Sequence, residues 1–156
     1  MLARQELSSA QVRDRLNRKG FTESEVEDAV RRLEAEGAID DGRAAAAYAH
    51  QSATVKLRGR ARTLRELHAR GINPSDAATA VEHTYAGLDE AALLDRAIRR
   101  RLEGRIESRA QFRRLYQALL RLGFDGSAVA TALLAKADMD EAPERDRQSR
   151  RPSVKK

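Results

Sequence analysis

A glycine-centred joint occurs three times in this chain: GFTESEV from Gly20, GINPSDA from Gly71 and GFDGSAV from Gly123, at spacings of 51 and 52 residues. Each glycine follows an apolar-periodic stretch, with Val12 and Leu16, Leu64 and Leu67, or Leu115 and Leu119 before it. Glycine just past a helix takes the left-handed conformation without a Cβ clash. An apolar residue comes next (Phe21, Ile72, Phe124), then an N-cap type (Thr22, Asn73, Asp125), and four residues later another apolar one (Val26, Ala77, Val129). That order predicts a helix stop, a buried plug and a new helix start joined by a hydrophobic staple. Glu25 and Asp76 fall at N3, where a carboxylate reaches back to the cap, and Pro74 falls at N1, where a missing N–H costs nothing. Fixed offsets at three places imply stacked supersecondary units.

Apolar periodicity between the joints fills each period with a third helix. Eight helices are expected, over about 9–19, 23–36, 43–56, 60–70, 74–86, 89–104, 108–122 and 126–136. The fold class is all-α: two full three-helix repeats and one partial one, forming an elongated, curved, right-handed or solenoid-like stack. The expected units are residues 1–57, 58–106 and 107–137, with a disordered charged tail over 138–156. Composition agrees. Apolar residues, mostly Ala and Leu, are 41%, aromatics 4%, and Trp is absent, which suits thin, closely packed helices.

Few chemistries fit. The chain has no Cys, so disulfides, thiolate metal sites and Cys nucleophiles are excluded. His50, His68 and His83 have no partner at helical spacing that suggests zinc, and Ser8, Ser9 and Ser108 read as helix caps. The pair Asp40-Asp41 reads as loop solvation and capping of the next helix. No phosphate-binding glycine loop is present. The expectation is therefore no catalytic residue, no metal and no cofactor. No apolar run is long enough for a membrane span, and Met1–Ala10 shows no signal peptide, so a cytoplasmic protein is expected.

The net charge of +6 is unevenly spread and its sign alternates through seven segments. Residues 42–70 carry seven basic side chains and one acidic; residues 96–121 carry nine and two. This one-signed excess predicts a surface for a polyanion or an acidic protein. Arg dominates, which favours bidentate pairing with phosphate or carboxylate. The candidate partner-binding residues are Arg58, Arg60, Arg62 and Arg65 from the first cluster, and Arg96, Arg99, Arg100, Arg105, Arg109 and Arg113 from the second. On a helix Arg58, Arg62 and Arg65 point nearly the same way, opposite Leu64 and Leu67. Tyr48, Tyr85 and Tyr116 are too scattered for a base-stacking platform.

Taken together, VRDRLNRKGF (12–21), RRLEAEGAIDD (31–41), RGRARTLRELHARGI (58–72) and LYQALLRLGF (115–124) resemble the RecX regulatory proteins of bacteria over about residues 7–136. The family signature Glu-Leu-x-x-Lys-Gly-Ile is met by Glu66, Leu67, Arg70, Gly71 and Ile72. Ala44 stands where the family often has Phe, which thins the core of the first unit. The resemblance implies a non-enzymatic regulator acting in DNA repair, DNA recombination and the SOS response. It would bind the groove of the RecA–DNA filament and inhibit its ATPase and recombinase activity. The implied partners are the RecA filament and the single- or double-stranded DNA within it, met by a monomer. The residues alone leave a second class open, an independent helix-turn-helix-like DNA-binding protein.

Overall fold

The computed structural model describes residues 6–137. The expected tail over 138–156 lies outside them. Eight helices follow in order: α1 Ser9–Arg18, α2 Glu23–Ala35, α3 Asp41–Thr54, α4 Arg60–Ala69, α5 Pro74–Ala86, α6 Glu90–Arg99, α7 Arg109–Arg121 and α8 Gly126–Leu134. No strand is present among the described residues; the nearest approach to one is a single parallel bridge between Ile106 and Ala137.

The three joints have the same hydrogen-bond pattern. Gly20, Gly71 and Gly123 adopt φ of +88°, +75° and +87°. The next residue donates its N–H to the carbonyl five positions back: Phe21 to Leu16, Ile72 to Leu67 and Phe124 to Leu119. The glycine N–H goes to Asn17, His68 or Leu120. These pairs are the two bonds of a Schellman closure. Thr22, Asn73 and Asp125 each accept a backbone N–H as N-caps, and Pro74 sits at N1. Thr22 and Glu25 form the expected capping box. Asp76 differs, because its carboxylate takes the Asn73 side-chain amide at 2.5 Å.

Three other expectations need correcting. The plug is buried at Ile72 and Phe124 (4% and 9% exposed), whereas Phe21 is 48% exposed. The third helix of the second unit ends at Arg99 rather than 104, since the backbone turns at Arg100–Arg101 and Gly104 takes φ +80°. Ile106 then pairs its N–H with the Lys136 carbonyl and is fully buried. Arg58 is not on a helix: α4 begins two residues later, capped by Gly59.

Packing follows side-chain size. Ala45, Ala49 and Ala53 are fully buried at i, i+4 and i+8 on α3, so α3 approaches α5 closely and also contacts α4. In the same manner α6 packs on α7 and α8, and α1 pairs with α2. One apolar cluster runs from Ala45 to Leu133; Val26, Val30, Ile39 and Ala44 are buried outside it. Helix starts meet later joints. Ser8 Oγ donates to the Arg70 carbonyl at 2.7 Å, and the Gly59 N–H donates to the Leu122 carbonyl at 2.8 Å. Asp41 accepts from both Ser9 N and Ser9 Oγ at 2.7 and 2.8 Å, tying α1 to α3.

A buried chain of hydroxyls crosses from α3 to α5. Tyr85 donates to the Arg58 carbonyl at 2.6 Å, which leaves its oxygen to accept from Thr63 at 2.8 Å, and Thr63 in turn accepts from Ser52 at 2.8 Å. Ser52 and Thr63 are fully buried and satisfied, as buried hydroxyls must be.

Candidate arginine-rich interface

The loop between α3 and α4, α4 itself and its C-cap Arg70 gather four cations around one carboxylate. Glu66, on α4, accepts the Tyr48 hydroxyl at 2.5 Å, Arg62 Nε at 2.9 Å and the Arg58 guanidinium. Burial pushes the Glu66 carboxyl up, but the bonds from Tyr48 and Arg62 and the charges of Arg58 and Arg62 outweigh it and hold it below the usual glutamate range. Burial and the Glu66 charge raise the Tyr48 hydroxyl. Arg70 and Lys56 lie over the Tyr48 ring, 4.0 and 4.7 Å from its centroid. Burial, then repulsion from Arg58 and Arg70, lowers the Lys56 ammonium. One carboxylate among Lys56, Arg58, Arg62 and Arg70 leaves a local positive excess.

The second arginine cluster meets the first at the end of α3. Arg96 on α6 and Arg100 at its C-cap donate to the Thr54 and Val55 carbonyls at 3.5 and 3.2 Å. These carbonyls lie at the negative end of the α3 dipole. Lys56 directly follows them, so the α3–α4 loop and α6 bring their cations to the C-terminal end of α3. A groove of about 580 Å³ opens beside it, lined by Tyr48, His50, Val55, Lys56, Leu67 and Arg70 among others. Its apolar floor and cationic rim fit an anionic group carried on an apolar body.

The other candidates fall elsewhere. Arg60 faces away, bridging Glu82 at 2.8 Å and Glu90 at 2.6 Å. Arg62 also donates to the Arg121 carbonyl at 3.1 Å, bracing α4 against the α7–α8 joint. Arg99 pairs with Asp95 one turn earlier. Arg105 is exposed in the α6–α7 linker. Arg65, Arg109 and Arg113 are exposed on α4 and α7, without an ion pair among the described residues. Sequence reasoning counted Lys56 and Arg70 as cluster members but did not single them out. The missed signal is Tyr48, a lone aromatic on an alanine helix that offers its ring to both.

Among the described residues, no group of three His, Asp or Glu side chains is placed to hold a metal ion. None of the described helices is long and apolar enough to cross a membrane.

Comparison with known proteins bears on this arrangement. A solved structure described as the crystal structure of regulatory protein RecX superposes with a TM-score of 0.66. Sequence identity is 23%, over 86% of this chain and 66% of that one. Residues 1–33 match the family model of RecX, first three-helix domain. The chain is thus similar to the RecX proteins in sequence over its first 33 residues and in helical fold over most of its length. At 23% identity the superposition carries the helical fold alone, and the domain match covers 33 of the 156 residues. The chain spans just under two thirds of the solved RecX chain. No match is found among curated protein sequences. The matched segment contains α1 and most of α2, and the cationic cluster described above lies beyond it, at α3, α4 and α6.

Proposed function

We propose that this chain regulates the RecA recombinase: it binds the RecA–DNA filament and inhibits its ATPase and recombinase activity without catalysing a reaction itself. The observation that supports this reading is the RecX first-domain match at residues 1–33, joined to an elongated helical stack that carries an unneutralised cationic end. A filament groove presents acidic protein surface and DNA phosphates side by side. Lys56, Arg70, Arg96 and Arg100 are the contacts assigned to the groove on the α3 end, with Arg65, Arg109 and Arg113 as exposed cations on α4 and α7. Arg58, Arg60 and Arg62 take a bracing role, since their charges are met by Glu66, Glu82 and Glu90. The repeat units over 1–57, 58–106 and 107–137 then act as successive contacts along neighbouring recombinase subunits, bound by one monomeric chain in the cytoplasm.

The test is a titration of this chain into RecA hydrolysing ATP on single-stranded DNA. The expected result is inhibition at substoichiometric amounts, with weak binding to free duplex. No effect on hydrolysis at any ratio overturns the proposal. Tight binding to duplex alone, falling steeply with salt, identifies an independent DNA-binding protein instead.

A further inference from the structure

The three units do not bury the same positions. Val12, Leu16 and Phe21 of the first unit correspond to Thr63, Leu67 and Ile72 of the second and to Leu115, Leu119 and Phe124 of the third. The six later residues are 0–9% exposed, whereas Val12 and Leu16 are only half-buried and Phe21 is 48% exposed. The difference lies in what covers them. In the second unit α3 lies on α4 and α5, and in the third α6 lies on α7 and α8. No described helix lies in that way on α1 and α2. A groove of about 450 Å³ remains there, floored by Leu7, Val12 and Leu16 and rimmed by Arg15, Arg18 and Lys19.

The second unit shows a chemistry that fits, whereas the third has Ala118 and Leu122 at the corresponding positions. The position of Arg15 corresponds to Glu66, which receives Arg58 and Tyr48 from the covering segment. The position of Lys19 corresponds to Arg70, which stacks on Tyr48. The charge at the first of these positions is inverted, so the covering segment must invert its own. We infer that the α1–α2 face is a seat for an amphipathic helix of a partner protein, carrying a carboxylate for Arg15 and an aromatic ring for Lys19 beside a stripe of small apolar residues. Helix-in-groove docking is the matching mode. A second copy is not the occupant. Its own free face is this one, and it would set Arg15, Arg18 and Lys19 against their own copies.

The probe is a labelled synthetic peptide with the sequence of residues 41–58, the α3 segment, made in two forms: unchanged, and with Arg58→Glu. The substituted peptide should bind this chain saturably, and the unchanged peptide at least about tenfold more weakly, a difference of about 1.4 kcal/mol. Arg15→Glu in the chain should reverse that preference. Val12→Ser and Leu16→Asp, both in the groove floor, should each weaken binding while the far-UV circular dichroism of the chain stays helical. Equal affinity for both peptides, a preference that Arg15→Glu leaves unreversed, or affinity unaltered in both groove variants overturns the seat. So does a concentration-dependent dimer in sedimentation that Leu16→Asp abolishes, since it would make a second copy the occupant.

Discussion

Substituting alanine at Gly20, Gly71 and Gly123 separates two costs that usually come together. The three glycines have nearly the same backbone, with φ between +75° and +88°. Holding alanine there costs about 1–2 kcal/mol at each site. Their surroundings differ. A Cβ on Gly20 meets nothing within 4 Å. On Gly71 it would stand 2.3 Å from the Ala10 methyl at the start of α1. On Gly123 it would stand 2.3 Å from the Arg62 nitrogen and 2.6 Å from Arg62 Cβ, inside the first turn of α4. Non-bonded carbons rest at about 3.5–4 Å, so α1 or α4 must shift by more than an ångström, an overpacking cost of about 1–3 kcal/mol. Gly20→Ala should therefore lose about 1–2 kcal/mol, and Gly71→Ala and Gly123→Ala about 2–5 kcal/mol. In a chain of this size each kcal/mol lowers Tm by about 2–4 °C. Urea and thermal unfolding followed by far-UV circular dichroism measure both. Equal losses at all three sites would refute the claim that helix starts dock on the second and third joints.

Thr63→Val keeps the shape of the residue but leaves the buried Ser52 hydroxyl without an acceptor, a loss of about 1–3 kcal/mol; adding Ser52→Ala should recover part of it in the same unfolding assay. Because the folded Glu66 carboxyl lies below its ordinary value of 4.5, its contribution to stability is complete above that value and is lost as pH falls through the folded value. Glu66→Gln should thus be less stable than the wild type at neutral pH and converge with it in acid, as a urea series across pH will show. Lys56→Glu together with Arg100→Glu should raise the amount of chain needed to inhibit RecA ATP hydrolysis by at least about tenfold, while Arg60→Glu should lower Tm instead, because it sets a carboxylate against Glu82 and Glu90.

The helices and most of their starts were legible in the sequence, because caps, left-handed glycines and Schellman bonds act within five or six residues of chain, whereas the end of α6, expected at 104, falls at Arg99. Ser8, Thr22, Asn73, Ser108 and Asp125 all cap where their neighbours predict. The fate of the arginines was not legible, because an ion pair depends on which carboxylate the fold brings near. Arg60 meets Glu82 and Glu90, distant in the chain, and Arg96 and Arg100 reach carbonyls on α3 that no local pattern links to them. Phe21 has the same local sequence logic as Ile72 and Phe124 yet stays exposed, since burial of a plug requires a covering helix from another part of the stack. Short-range sterics and hydrogen bonding thus set the repeated helical unit, while its free charges and its uncovered face were decided only when the units were packed in three dimensions.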